Sequence, residues 1–447
     1  VHKVNDATVE LREAIFSYTR NRLNYEPAPL DGTKTSDELR DKVGQTITEQ
    51  GLGPIQALNV FADHLAPATL STDHPGYLSF IPCAPTEASK LFDLVVSASA
   101  MYGGSWLEGS GAVYAENQVL SFLAAEAGLP ETAGGVFVQG GTLGNLSALV
   151  TAREVAKAKR KYETRMAIAC SSEAHSSLKT AAMVMDVDLI KVKVDSKGKI
   201  GRDQLQEMSG YDRDRLFAVV ATGGTTNFGI VDKLDEVAAF AKANNLWFHV
   251  DGAYGLAAML APETRHLFEG LSEADSFIVD PHKWLFAPFD ACALVYRRPN
   301  LAKAVHTQHG EYLDAITDSG DFNPSDYAIN LTRRPRGLPL WFSLATHGAA
   351  AYRSAISQNI KLARWAADEI NRRDYLTLVR DPELSVVVFE RVGWTLDDYE
   401  RWSGSLLNAG HAFVVPSSHE GRPNARFAIV NPLTTESLLS QILDSME

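Results

Sequence analysis

The stretch "SFIVDPHKWLF", residues 276–286, sets an acid, a proline, a histidine, a lysine and a tryptophan directly behind a strand-like run of Ser276, Phe277, Ile278 and Val279. The surroundings are apolar enough to be buried, and a buried, unpaired lysine is costly. Lys283 therefore needs a partner, a route to the surface or a chemical task.

The same arrangement recurs upstream. Short β-branched runs stand at 166–170 (MAIAC), 189–194 (LIKVKV), 216–222 (LFAVVAT), 247–251 (WFHVD), 276–280 (SFIVD) and 291–296 (ACALVY), with helical stretches between them. Strands alternating with helices predict an α/β domain with a mostly parallel central sheet flanked by helices. Sites in such sheets lie past the carboxyl ends of the strands. Five segments deliver small or reactive side chains there: "GGTLGN" (140–145), "EAHSSLKTA" (173–181), "GGTTNFGIVD" (223–232), "DGAYG" (251–255) and "DPHKW" (280–284).

Each segment alone has an ordinary reading. "GGTLGN" is a tight turn before a helix, or an anion site in which Gly141 and Thr142 offer N–H groups at a positive helix end. His175 alone reads as a structural histidine, Asp251 as a helix N-cap, and Lys283 as a chain reaching the surface. Together the ordinary readings fail. A phosphate cradle, a flat imidazole, a carboxylate at a strand end and a buried lysine are the contacts that pyridoxal 5'-phosphate needs.

The whole chain bounds the reading further. It has 447 residues, 45% hydrophobic and 22% charged, with a net charge of −13. This length predicts a large core and more than one domain. The acidic balance argues against nucleic acid and anionic membranes as partners. Three distant cysteines, Cys83, Cys170 and Cys292, form no CxxC pair, so neither a disulfide framework nor a metal site is expected. No apolar run approaches the ~18 residues of a membrane span, and no signal-peptide core is seen. A soluble, cytoplasmic protein is predicted.

Three regions are expected. Residues 1–84 form an N-terminal helical and extended segment, with Leu11, Ile15 and Tyr18 on one face and a capping signal before "SDELRDKV". Residues 85–336 form the large domain, including a polar stretch at 303–332 that reads as a mobile loop. Residues 337–447 form a small α+β domain containing "LSVVVFERV" and "ARFAIVN".

"DPHKWLF", "HVDGAYG", "GGTLGNLSALVTAR" and "EAHSSLKTA" resemble the group II pyridoxal-phosphate-dependent amino acid decarboxylases, which include aromatic-amino-acid, tyrosine and glutamate decarboxylases. The resemblance runs from about His74 to about Trp341. It implies the type I aminotransferase-like fold, a homodimer with active sites at the interface, and conversion of an L-amino acid to its amine and CO2. Carried over by position, Lys283 resembles the Schiff-base lysine, His282 its neighbour near the phosphate, and Asp251 the partner of the pyridine nitrogen. His175 resembles the histidine stacked on the ring, Thr226 the threonine beside it, Ala253 the small residue against the ring, and Gly141 and Thr142 the phosphate loop. Asp280 departs from the animal enzymes, where asparagine often stands. It is expected to turn away from the phosphate or to be paired by a donor. The family's loop tyrosine, the proton donor, is assigned to Tyr327 rather than Tyr312. "HPGYLSFIP" resembles the substrate-pocket segment. Phe80, Ile81, Pro82 and Tyr102, with Trp106 nearby, predict an apolar wall for an aromatic or apolar side chain. The alternatives are an aldehyde synthase, lyase or transaminase on the same fold, or a non-catalytic cofactor-binding scaffold.

Overall fold

The computed structural model describes residue 2, residues 4–310 and residues 321–447. The chain divides into two compact units, Cys83–Ala367 with Arg380–Val387, and Val1–Pro82 with Asp368–Val379 and Val388–Glu447.

The larger unit is built on a seven-stranded sheet of order β1-β7-β6-β5-β4-β2-β3. The strands are β1 (Gly134–Val138), β2 (Ala167–Ser171), β3 (Asp188–Val192), β4 (Leu216–Thr222), β5 (Trp247–Asp251), β6 (Ser276–Val279) and β7 (Cys292–Tyr296). β7 alone runs antiparallel to its neighbours β1 and β6. All seven residues of β4 and all five of β5 are buried, as expected of central strands covered on both faces. Each fully buried Val, Leu or Phe contributes about 1.5–3 kcal/mol, so these strands carry much of the unit's stability.

Register places the site. Thr222 of β4 stands opposite Asp251 of β5, and Asp251 opposite Ile278 of β6, so three carboxyl ends lie level at one edge. The helix Gly141–Lys159 follows β1 and packs across the sheet. A Cβ on Gly144 would lie 2.8 Å from Ile278 Cγ2 and 2.9 Å from Cys292 Sγ. Only glycine lets the helix approach the strands this closely. Across the same unit Arg333 and Glu116 form an ion pair at 2.8 Å, both nearly fully buried. Glu116 also accepts the Gly337 N–H at 2.7 Å.

The smaller unit carries β8 (Leu376–Leu378), β10 (Ser417–His419), β11 (Arg422–Ala428) and most of β9 (Val386–Arg391), in a sheet of order β10-β11-β9-β8. Its N-terminal helices are Asp6–Leu23, Ser36–Val43 and Pro54–Val60. The expected cap is present: Thr35 Oγ1 accepts the Glu38 N–H at 3.2 Å, and Glu38 accepts the Thr35 N–H at 2.7 Å. No residue of the helix Asp6–Leu23 is fully buried: on its expected apolar face Leu11 and Tyr18 are half-buried, Tyr18 meeting Phe61 edge-on at 5.8 Å, while Ile15 is exposed.

The 303–332 stretch is not one continuous loop. Residues 303–306 end the helix Pro299–His306, and Asn323 through Ala328 are buried around a turn at Pro324–Asp326. Residues 311–320, including Tyr312, lie outside the described residues. No helix of the described residues is long and apolar enough to cross a membrane.

Candidate active site

A cavity of about 280 Å³ opens where β1, β2, β4, β5 and β6 end. All eight residues expected to meet the cofactor line it: Gly141, Thr142, His175, Thr226, Asp251, Ala253, His282 and Lys283. They come from five separate turns, and the level strand ends bring them together.

The β6 turn explains "DPHKW". Asp280 precedes a single helical turn, Pro281–Trp284, with proline at its first position, where its missing N–H costs nothing. Trp284 is fully buried, stacked on Tyr254 at 5.4 Å, and donates to Asn359 at 2.9 Å. This anchor turns Lys283 towards the cavity. Lys283 Nζ lies 2.9 Å from Asp280 Oδ2. Burial opposes the ammonium charge, but the Asp280 carboxylate outweighs it and raises the lysine pKa above its ordinary value. Asp280 is thus paired by a donor while remaining on the cavity wall. His282 Nδ1 lies 2.7 Å from the Ala291 carbonyl.

Asp251 ends β5, 5% exposed, and accepts from Asn145 Nδ2 at 2.8 Å and from the Ala253 N–H at 3.2 Å. A carboxylate oxygen has two lone pairs, so Asp251 retains capacity towards the cavity. At the opposite wall the helix Gly141–Lys159 begins at Gly140 with no side-chain cap. A Cβ on Gly141 would lie 3.2 Å from Asp280 Oδ2 and 3.3 Å from the Ala253 Cβ, so a side chain there would crowd the cradle. Thr222 Oγ1 and Gln139 Oε1, both on residues lining the cavity, are buried with no hydrogen-bond partner.

Pyridoxal phosphate fits this donor set. The uncapped helix end supplies N–H groups for a phosphate dianion, Asp251 an acceptor for a ring N–H, and Lys283 an amine for the aldehyde carbon. Among the described residues no cluster of three potential ligands suits a metal ion.

A family profile, the pyridoxal-dependent decarboxylase conserved domain, matches residues 54–392. The chain belongs to this family. As a member it is a pyridoxal-phosphate-dependent carboxy-lyase of the type I fold. The decarboxylase is 29% identical over 430 residues to an aromatic-L-amino-acid decarboxylase of Bacillus atrophaeus, covering 93% of this chain and 89% of that protein. It is 28% identical over 417 residues to an L-2,4-diaminobutyrate decarboxylase of Rhizobium meliloti (strain 1021), covering 90% and 83%. In fold it matches Oryza sativa TDC solved with PLP and tryptamine, with a TM-score of 0.91 over 100% of this chain and 99% of that one, at 24% identity.

Not every expected residue reaches the cavity of the decarboxylase. Tyr327 does not line it. Its ring is 6% exposed, sits in the core and stacks on Phe322 at 4.5 Å, and burial pushes its hydroxyl up to about 12. Its carbonyl accepts from the Tyr296 hydroxyl at 3.1 Å. Tyr102 is also absent from the wall and donates to the Leu331 carbonyl at 3.4 Å. Phe80, Ile81 and Pro82 belong to the smaller unit, with Phe80 60% exposed and Ile81 buried.

Other wall residues were not singled out from the sequence: Gln139, Asn145, Ser177, Thr225 and Asp290. Asn145 had a signal. It lies four residues after Gly141, so a helix sets both on one side, and it is polar between Leu143 and Leu146.

Proposed function

We propose that this enzyme decarboxylates an L-amino acid with an aromatic or other apolar side chain, releasing the amine and CO2. The charge of the cavity argues against an acidic side chain. Lys283 is its only lysine or arginine among the described lining residues, and Asp280 already engages it. A second substrate carboxylate, as in glutamate, would have no cation to meet it. The similarity to the Bacillus aromatic-L-amino-acid decarboxylase supports the same reading.

Bound pyridoxal phosphate supplies an electron sink for the pair left on Cα when CO2 departs. The chain's residues serve that step in distinct ways. Lys283 holds the cofactor through Nζ. Asp251 holds a proton at the ring nitrogen. Gly141, Thr142 and the helix start hold the phosphate, with His282 near it and Thr226 beside His175. Ala253 leaves room for the ring, and His175 lies over it. Asp280 balances the Lys283 charge. His175 is the candidate donor of the proton that Cα takes up, because it lines the cavity whereas the Tyr327 ring is packed in the core.

The enzyme is assigned a homodimeric, cytoplasmic form. The helix Asp6–Leu23 exposes Val9, Ile15 and Phe16, an apolar surface suited to a partner subunit. The three free, buried cysteines suit a reducing compartment.

The test is incubation with a panel of aromatic, aliphatic, cationic and acidic L-amino acids, with CO2, amine, aldehyde and ammonia measured together. Equal CO2 and amine from an aromatic substrate is expected. Preference for glutamate or 2,4-diaminobutyrate would overturn the substrate class. Aldehyde with ammonia would assign the oxygen-using synthase reaction instead.

A further inference from the structure

We propose that Asn145 is a positioning residue for the decarboxylation, joining the Asp251 carboxylate to His249 and, through Ser177, to His175, and fixing the proton of His249 on Nε2. The inference rests on the reading that Asp251 and His175 face the cofactor.

Asn145 lies one turn into the helix Gly141–Lys159 and is 1% exposed. Its Nδ2 donates one hydrogen to Asp251 Oδ2 at 2.8 Å and the other to Ser177 Oγ at 2.9 Å. Its Oδ1 lies 2.9 Å from His249 Nε2. The amide has one workable orientation. Turned over, it would set a carbonyl oxygen against the Asp251 carboxylate in a dry site, two acceptors with no hydrogen between them.

The remaining hydrogens follow. Because Asn145 Oδ1 accepts, His249 must carry its proton on Nε2. His249 is fully buried, and burial pushes its pKa well below the ordinary value, against the pull of the Asp251 charge. The neutral ring therefore accepts at Nδ1, and the donor is the Ser276 hydroxyl at 2.8 Å. Ser276 Oγ in turn accepts the Trp247 indole N–H at 2.9 Å.

The second branch runs through Ser177. Its Oγ accepts from Asn145, which leaves its own hydrogen for His175 Nδ1 at 2.9 Å. The Ser177 backbone N–H also points at His175 Nδ1, at 3.2 Å. A backbone N–H can only donate, so Nδ1 is an acceptor and the neutral ring keeps its proton on Nε2. His175 thus offers an N–H, not a lone pair, from the cavity wall. One amide holds the aspartate, orients a buried histidine and, by donating to Ser177 Oγ, leaves the serine hydroxyl hydrogen for the histidine at the reacting face. Removing it would strand buried donors and acceptors together.

Two-bond ¹H–¹⁵N spectra of the cofactor-free protein, labelled at histidine nitrogen, test this. His175→Gln and His249→Gln supply the assignments. Both rings are expected with the proton on Nε2 in the wild type. Ser177→Ala, which keeps the backbone N–H, should leave the proton of His175 on Nε2 and leave His249 unchanged. Asn145→Ala should release His249 and lower kcat of the loaded enzyme roughly 10- to 100-fold, with a much smaller change in KM. His175 protonated on Nδ1 in the wild type would overturn the inference without any variant, even if Asn145→Ala fails to fold. Unchanged tautomers and unchanged kcat in Asn145→Ala would overturn it as well. Full activity of Asp251→Asn beside the stated tautomers would instead overturn the reading of the site, and with it the positioning role.

Discussion

Lys283 Nζ and Asp280 Oδ2 meet at 2.9 Å, across a single helical turn that proline opens and a buried tryptophan anchors. The aspartate is 2% exposed and offers the lysine a full counter-charge. An ammonium held by a buried carboxylate gives up its proton only at raised pH. Asp280→Asn removes that hold, so the Lys283 pKa should fall. In the cofactor-free protein, the pH profile for modification of Lys283 by an amine-directed reagent should then shift to lower pH. A shift to higher pH, or none, would show that Asp280 does not govern the lysine.

Asp251 is buried at a strand end and keeps lone pairs free towards the cavity. A fixed charge of this kind in a dry site is worth about 3 kcal/mol or more in a transition state. Asp251→Asn should therefore retain the cofactor, seen by its absorption, and lose kcat by about 100-fold or more. A helix-capping role alone would cost about 1 kcal/mol of stability and leave kcat alone.

The ion pair of Arg333 with Glu116 predicts a stability effect. Burial raises the Glu116 pKa, and the Arg333 charge opposes that rise. Removing one member leaves the other charged and buried, at about 3–5 kcal/mol. Glu116→Gln should lower the urea midpoint markedly, and Glu116→Gln with Arg333→Met should recover part of the loss. An additive double variant would contradict the coupling.

The frame was legible because it is local. The runs at 216–222 and 247–251 match β4 and β5 residue for residue, since strands buried on both faces are largely apolar. β3 begins one residue early, at Asp188, and stops at Val192. The convergence of these eight residues on one cavity was legible because parallel strands deliver their carboxyl ends to one edge. Tyr327 was not. The residues just before it, Ser325 and Asp326, are polar, and its burial comes from Phe322 and a core that includes Val138 and Leu149, far away in sequence. His249 escaped notice although it stands two residues before Asp251 on the same strand, where alternate side chains share a face. Its partners, Asn145 and Ser276, are not adjacent in the chain.

The packing of Tyr327 separates the two candidate proton donors. Tyr327→Phe should leave amine formation near wild type, since the hydroxyl belongs to a core residue and not to the cavity wall. His175→Gln should slow amine formation by about 100-fold or more, the usual worth of a positioned acid. Amine and aldehyde from both variants, assayed in air, check this. A rise in aldehyde from Tyr327→Phe alone would return the role to the tyrosine.

The most direct test of the site is the mass of the peptide carrying Lys283 after the enzyme is loaded with pyridoxal phosphate, reduced with borohydride and digested. One cofactor mass on Lys283, absent from Lys283→Ala together with all CO2 release, is the predicted result. A cofactor mass spread over surface lysines, or a Lys283→Ala enzyme that still releases CO2, would contradict it.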